Sequence, residues 1–203
     1  MKKDVILAGV GGQGVLSIAA IIARSAVKQN LAVRQSEVHG MAQRGGAVLA
    51  HLRLSDGTIA SDLVPKGGAD LIISMEPVES LRYSSWLAPG GALVTAAEAF
   101  VNIPDYPDLD GILKTIEAFP LSRIIKAAEL AKKAGLARAV NMVMVGAASP
   151  FLPIPAETLE QTIIDIFAAK DAAMAEANVK AFRLGRETAE FSGPRQLNKE
   201  TAL

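Results

Sequence analysis

Residues 4–38 read DVILAGVGGQGVLSIAAIIARSAVKQNLAVRQSEV, and this stretch decides the fold. Asp4 to Ala8 is a short apolar run suited to a buried strand. Gly9-Val10-Gly11-Gly12-Gln13-Gly14 follows as a loop. Val15 to Gln29 is rich in Ala and Ile, with few charges until its end, and reads as a helix buried on most faces. Leu31 to Val38 alternates like a second strand. Strand, glycine loop, helix and strand make a βαβ unit, which predicts a parallel sheet.

Working outward, His39 to Gly46 (HGMAQRGG) reads as a loop. Ala47 to Leu54 and Thr58 to Ser61 flank Ser55-Asp56-Gly57, a hairpin signal. Ala69 to Ser74 is a further strand, Glu76 to Leu87 a short helix, and Ala92 to Thr95 another strand. Residues 96–119 are irregular and interrupted by prolines. Leu121 to Ala134, Asn141 to Ala148, Ala156 to Ala169 and about Ala172 to Glu190 read as helices. The expectation is one Rossmann-like α/β domain over residues 1–191, with a mostly parallel sheet, flanking helices and a helical C-terminal region. Residues 192–203 are polar and contain Gly193-Pro194, so a frayed tail is expected there.

Composition narrows the function. Lys plus Arg number 21 and so do Asp plus Glu, which leaves no global basic field for nucleic acid. Aromatic residues are 4% of the chain, too few for base-stacking platforms. There is no cysteine, which excludes disulfides, Cys-ligated zinc, a thiol nucleophile and a Cys-ligated iron–sulfur cluster within the chain. Two histidines leave little room for a metal site. No apolar window is long enough to cross a membrane, and a cytoplasmic setting is the default.

Gly9, Gly11 and Gly14 have the G-x-G-x-x-G spacing between a strand and a helix. Glycines there allow a tight turn and close approach of backbone to an anion, and the helix N-terminus offers free N–H groups. Glu37 lies where a dinucleotide site wants a ribose-binding carboxylate. A free-standing nucleotide-binding protein is therefore one reading. The other is that the glycines only let strand, loop and helix pack closely. Gln13 adds a neutral donor and acceptor inside the loop, placed to bond a carbonyl, a phosphate or the facing loop His39 to Gly46.

Three segments together go further. GVGGQGVLS (9–17), EVHGMAQRGGAVLAHLRL (37–54) and DGTIASDLVPKGGADLIISMEPVE (56–79) resemble the gamma-type domain of the 2-oxoacid:ferredoxin oxidoreductases. Within that family the HGMAQRGG stretch is most similar to the indolepyruvate enzymes. The resemblance implies oxidative decarboxylation of 2-oxoacids, here arylpyruvates, to acyl-coenzyme A with reduction of ferredoxin. It also implies that thiamine diphosphate, Mg and the iron–sulfur clusters sit in a larger partner subunit, with coenzyme A as co-substrate. A cysteine-free chain agrees with that division of labour, binds none of these cofactors alone, and meets ferredoxin only through the complex.

Candidate residues follow. Arg44 is a fixed cation beside two glycines, and its guanidinium forks onto carboxylate or phosphate; the alternative is a pair with Glu37 or a helix cap. His39 opens the same loop and could be a general acid or base, or make one structural hydrogen bond. Gly9, Gly11, Gly12, Gln13, Gly14 and Glu37 are the candidate cofactor-binding set, and no metal ligands are expected. His51 reads as a surface or interface side chain, Glu76 as a carboxylate at a helix N-terminus, and Asn141 as a cap or interface group. The apolar helix Asn141 to Ala148 suggests a surface buried by a partner, so a hetero-oligomer is expected, with a possible self-dimer contact.

Overall fold

The computed structural model describes residues 1–39, 45–101, 104–169 and 171–191. Six strands form one sheet: β1 (Lys2–Val10), β2 (Ala32–His39), β3 (Ala47–Ser55), β4 (Ala69–Ser74), β5 (Leu87–Ala96) and β6 (Ser122–Ile125). Their order is β2-β3-β1-β4-β5-β6. From β1 to β6 every pair is parallel, whereas β3 runs antiparallel to both β1 and β2.

The first unit is therefore a split βαβ. Helix α1 (Val15–Lys28) joins β1 to β2 as expected, and the two strands point the same way. They are not neighbours, because β3 is inserted between them, with Val10 opposite Ala47 and His39 opposite Val48. The hairpin expected at Ser55-Asp56-Gly57 does not form. Ser55 Oγ instead accepts from Gly57 N (3.0 Å), and the following chain is tied across the sheet by side chains. Arg53 donates to the carbonyls of Ser61 and Leu63, both at 3.0 Å, and His51 Nδ1 accepts from Val64 N at 3.1 Å. His51 is accordingly buried, not a surface group.

The two faces of the sheet are covered unequally. On one face lie α1, α4 (Ala127–Lys133), α5 (Val140–Ala148), α6 (Ala156–Phe167) and α7 (Ala172–Phe191), sharing a large core with Val5, Leu7, Leu52, Leu71 and Val94. On the other, among the described residues, lie α2 (Pro77–Arg82), a 3₁₀ turn (Ser84–Trp86), α3 (Leu109–Glu117) and the 57–64 segment, around a small core of Ile6, Ile72, Leu93 and Ile116. Helix α5 is buried within its own chain by α7 and its neighbours, so its apolar character is no sign of a partner surface. A Cβ added at Gly146 of α5 would fall onto the carbonyl oxygen of Phe182, and one at Gly185 of α7 onto that of Val143. The two helices touch backbone to backbone, which only glycine permits.

Two elements escape the sequence pattern. Leu121 to Ala134 is not one helix but β6 followed by α4, since Ser122 to Ile125 pair with Leu93 to Ala96. The irregular stretch contains α3, capped by Asp108, whose carboxylate accepts from Gly111 N at 2.9 Å. Ile112 and Ile116 bury one stripe of it, at i and i+4. The 192–203 tail lies outside the described residues. Among those residues no helix is long and apolar enough to cross a membrane.

Candidate active-site crevice

The glycine loop closes the C-terminal end of β1. Gly12 (φ 100°) and Gly14 (φ 85°) are left-handed, which favours glycine. Gly9 needs its missing side chain for space: a Cβ there would lie 2.7 Å from Val15 Cγ2 and 3.0 Å from Met75 Cβ. Gln13 spends both ends of its amide inside the chain. Its Oε1 accepts from Val10 N (2.7 Å) and its Nε2 donates to the Met75 carbonyl (3.2 Å), tying the loop to the ends of β1 and β4.

Gly11 joins this loop to the second motif. Its N–H donates to Gly46 O (2.8 Å) and its carbonyl accepts from Gly45 N (3.3 Å), extending the β1–β3 ladder by one step. The end of the HGMAQRGG loop is thereby held beside the start of α1. That helix has no side-chain cap and no acidic residue in its first turn, so the positive end of its dipole stays uncompensated.

Beside the loop opens a crevice of about 440 Å³, lined among others by Gly12, Gln13, Met75, Glu98, Phe100 and Arg138. It sits at the C-terminal ends of β1, β4 and β5, where open α/β sheets collect ligands. Arg138 is exposed and makes no ion pair among the described residues. Glu98 Oε1 accepts from Ala128 N (2.9 Å) in the first turn of α4, while Oε2 is shut from solvent and has no hydrogen-bond partner.

The end of β4 carries a second acidic group. Glu76 caps α2, its Oε2 accepting from Glu79 N (2.8 Å), as its place before Pro77 predicts. Its Oε1 also accepts from the Tyr106 hydroxyl in a short hydrogen bond and from Phe100 N (3.5 Å). Burial, this bond and the charges of Glu76 and Glu79 push the Tyr106 hydroxyl well above its ordinary range. Burial likewise raises the Glu79 carboxyl, against the opposing pull of Arg82 at 3.0 Å.

The sequence-predicted residues divide. Gly9, Gly11, Gly12, Gln13 and Gly14 share one loop, of which Gly12 and Gln13 line the crevice. His39 ends β2 opposite Val48, at the same end of the sheet. Arg44 lies outside the described residues. Glu37 is exposed, bonded only weakly to Gln35 (3.5 Å), and opposite Ala50, which in turn faces Leu7. One whole strand separates it from β1, about 10 Å across the sheet, where it lies level with Leu7, before the loop begins. The geometry of a ribose carboxylate beside a glycine loop is absent. Asn141 packs its side chain against Gly14 at the start of α5. Arg138, Glu98 and Tyr106 were not singled out in the sequence: each is an ordinary polar residue until the fold brings it to the crevice or its wall.

This architecture, with two glycine motifs zipped at the mouth of an α/β crevice, matches known proteins. Residues 4–188 match the family model for pyruvate ferredoxin/flavodoxin oxidoreductase, and the chain belongs to that family as a subunit of a 2-oxoacid:ferredoxin oxidoreductase. It is 35% identical over 91% of its length to the indolepyruvate oxidoreductase subunit IorB of Archaeoglobus fulgidus, covering 94% of that protein. It is 36% identical over 93% of its length to the IorB subunit of Pyrococcus horikoshii, covering 97% of it. The fold also matches the gamma subunit of a keto/oxoacid ferredoxin oxidoreductase from Geobacter sulfurreducens. There the TM-score is 0.70 at 23% identity, over 94% of this chain and 99% of that one. A 2-oxoglutarate:ferredoxin oxidoreductase from Magnetococcus marinus, solved with 2-oxoglutarate, coenzyme A and succinyl-CoA bound, matches with a TM-score of 0.72 at 22% identity. That match covers 94% of this chain but 31% of the other.

Proposed function

We propose that this chain is the cysteine-free subunit of an indolepyruvate-type 2-oxoacid:ferredoxin oxidoreductase, active only when assembled with a larger subunit. The hard chemistry belongs to cofactors on that partner. An iron–sulfur cluster needs thiolates, and this chain has none. The Mg–thiamine diphosphate site is assigned to the partner as well, as the resemblance to the family implies. Ferredoxin then docks on the complex, in the cytoplasm.

The role left to this chain is to bind and orient. The observation that carries the reading is the Gly11 bridge to Gly45 and Gly46, which holds the end of the second glycine motif beside the N-terminus of α1. Coenzyme A is a polyanion, and Arg138, which has no ion pair among the described residues, together with that helix end suits one of its phosphate groups. In the assembled enzyme Arg44 holds an anionic group of substrate or coenzyme and His39 serves as the proton carrier.

The test is reconstitution. Viologen reduction with indolepyruvate, coenzyme A and thiamine diphosphate is expected from the two subunits together and from neither alone. Activity of the large subunit unaided would sink the assembly reading. Arg138→Ala should raise the KM for coenzyme A about ten-fold with kcat nearly kept, as loss of ground-state binding predicts. Arg44→Ala that assembles and turns over at the wild-type rate removes the role given to Arg44.

A further inference from the structure

The outer wall of the crevice is the segment leaving β5. Ala97 N donates to Ile125 O (2.8 Å), Glu98 caps α4, and Phe100 N reaches Glu76. Beyond that point apolar packing does little to hold it, for Phe100 is 41% and Val101 69% exposed. The remaining restraint is polar, and it converges on one buried atom. Glu76 is 1% exposed, and its two oxygens have separate tasks. Oε2 caps α2, while Oε1 takes both Phe100 N and the Tyr106 hydroxyl. Capping alone would be met by one oxygen. The second ties the wall, on both sides of Phe100 and Val101, to the rigid end of β4.

We infer that Tyr106 and Glu76 are positioning residues: their hydrogen bond sets the wall of the crevice, and so the fit of the coenzyme A phosphate that Arg138 receives, without touching the ligand. The inference rests on the coenzyme A reading above. Tyr106→Phe removes the hydroxyl and little volume. Among the described residues it leaves Glu76 Oε1 with the long Phe100 contact alone, so the wall loosens while α2 stays capped.

In the assembled enzyme, Tyr106→Phe is expected to raise the KM for coenzyme A about five-fold, with kcat within about two-fold and the KM for indolepyruvate unchanged. Hydrogen exchange at residues 97–101 should accelerate in the same variant, a measurement that stands even if assembly suffers. Arg138→Ala is run alongside. If Arg138→Ala raises the KM and Tyr106→Phe does not, the positioning role is overturned and the crevice reading survives. If neither moves it, both fall. A uniform loss of kcat, a parallel rise in both KM values, or unchanged exchange at 97–101 would also overturn it, since those mark general damage or a wall held by something else.

Discussion

The two faces of the sheet are built on different principles. The face carrying α1 and α4–α7 is a thick apolar layer, closed by direct backbone contact at Gly146 and Gly185. The face carrying α2 and α3 has a small core, and side-chain hydrogen bonds from Asp4, His51, Arg53 and Glu76 do much of the fastening. The difference teaches where each kind of change will be felt. The thick face answers first to volume. The thin face answers to charge and protonation.

The sharpest way to break this contrast is Gly146→Ala or Gly185→Ala. Alanine in a helix interior ordinarily gains up to about 1 kcal/mol over glycine. Here the methyl group meets the facing backbone, and a loss above about 4 kcal/mol is expected in urea unfolding. A variant as stable as wild type would show that the crossing can part, and the thick face would no longer be a matter of volume.

On the thin face the largest effect should come from Asp4. Its side chain is fully buried, its oxygens take Arg53 Nε at 2.8 Å and Nη2 at 3.1 Å, and Lys2 Nζ adds a contact at 2.7 Å. Asp4→Asn leaves Arg53 with the Ser61 and Leu63 carbonyls but no buried counter-charge. A loss of about 3 kcal/mol is expected in the same experiment.

His51 gives a smaller, pH-dependent effect. Burial, and then the nearby Arg53 charge, hold its pKa below the usual 6.5. The folded state therefore favours the neutral ring that accepts from Val64 N. Its stabilising contribution is complete above the unfolded value and is lost as pH falls through the lower, folded one. Unfolding midpoints should drop as pH falls below the usual 6.5, and His51→Gln should flatten that part of the profile. The smallest expected effect is on the thick face. Ser25 Oγ is buried in α1 without a partner, so Ser25→Ala should be neutral or stabilising by about 0.5 kcal/mol. A clear loss would expose a polar contact where volume alone is expected to count.

Much of this was legible in residues 4–38, which spell out β1, the glycine loop, α1 and β2. The family was legible too, because two glycine motifs at fixed spacing are more specific than either alone. The strand order was not. Ser55-Asp56-Gly57 carries a genuine turn signal, but whether a strand follows depends on Arg53 and His51 catching carbonyls and an N–H of the 61–64 segment. Ile124 and Ile125 are too short an apolar run to outweigh the Ala-rich helix after them, so β6 hid inside a helical pattern. Helix α5 shows the same limit: an all-round apolar helix states that something covers it, not whether the cover is a partner or α7. Arg138 precedes α5, while Glu98 and Tyr106 both belong to the connection between β5 and α3, and only the folded chain brings Arg138 and Glu98 to one crevice with Tyr106 behind its wall.

The insertion of β3 also orders events in time. Lys2 finds its antiparallel partner only in Ser55, and Val10 only in Ala47. A nascent chain emerging as far as β2 therefore carries two parallel-pointing strands with a gap between them and no ladder to close. The local hairpin of β2 and β3 is the pairing that can form first, because its loop closure is short. Docking of the N-terminal strand onto it is what zips Gly11 to Gly45 and Gly46. The mouth of the crevice is then completed by the same step that completes the left half of the sheet, so an intermediate lacking β1 would have neither.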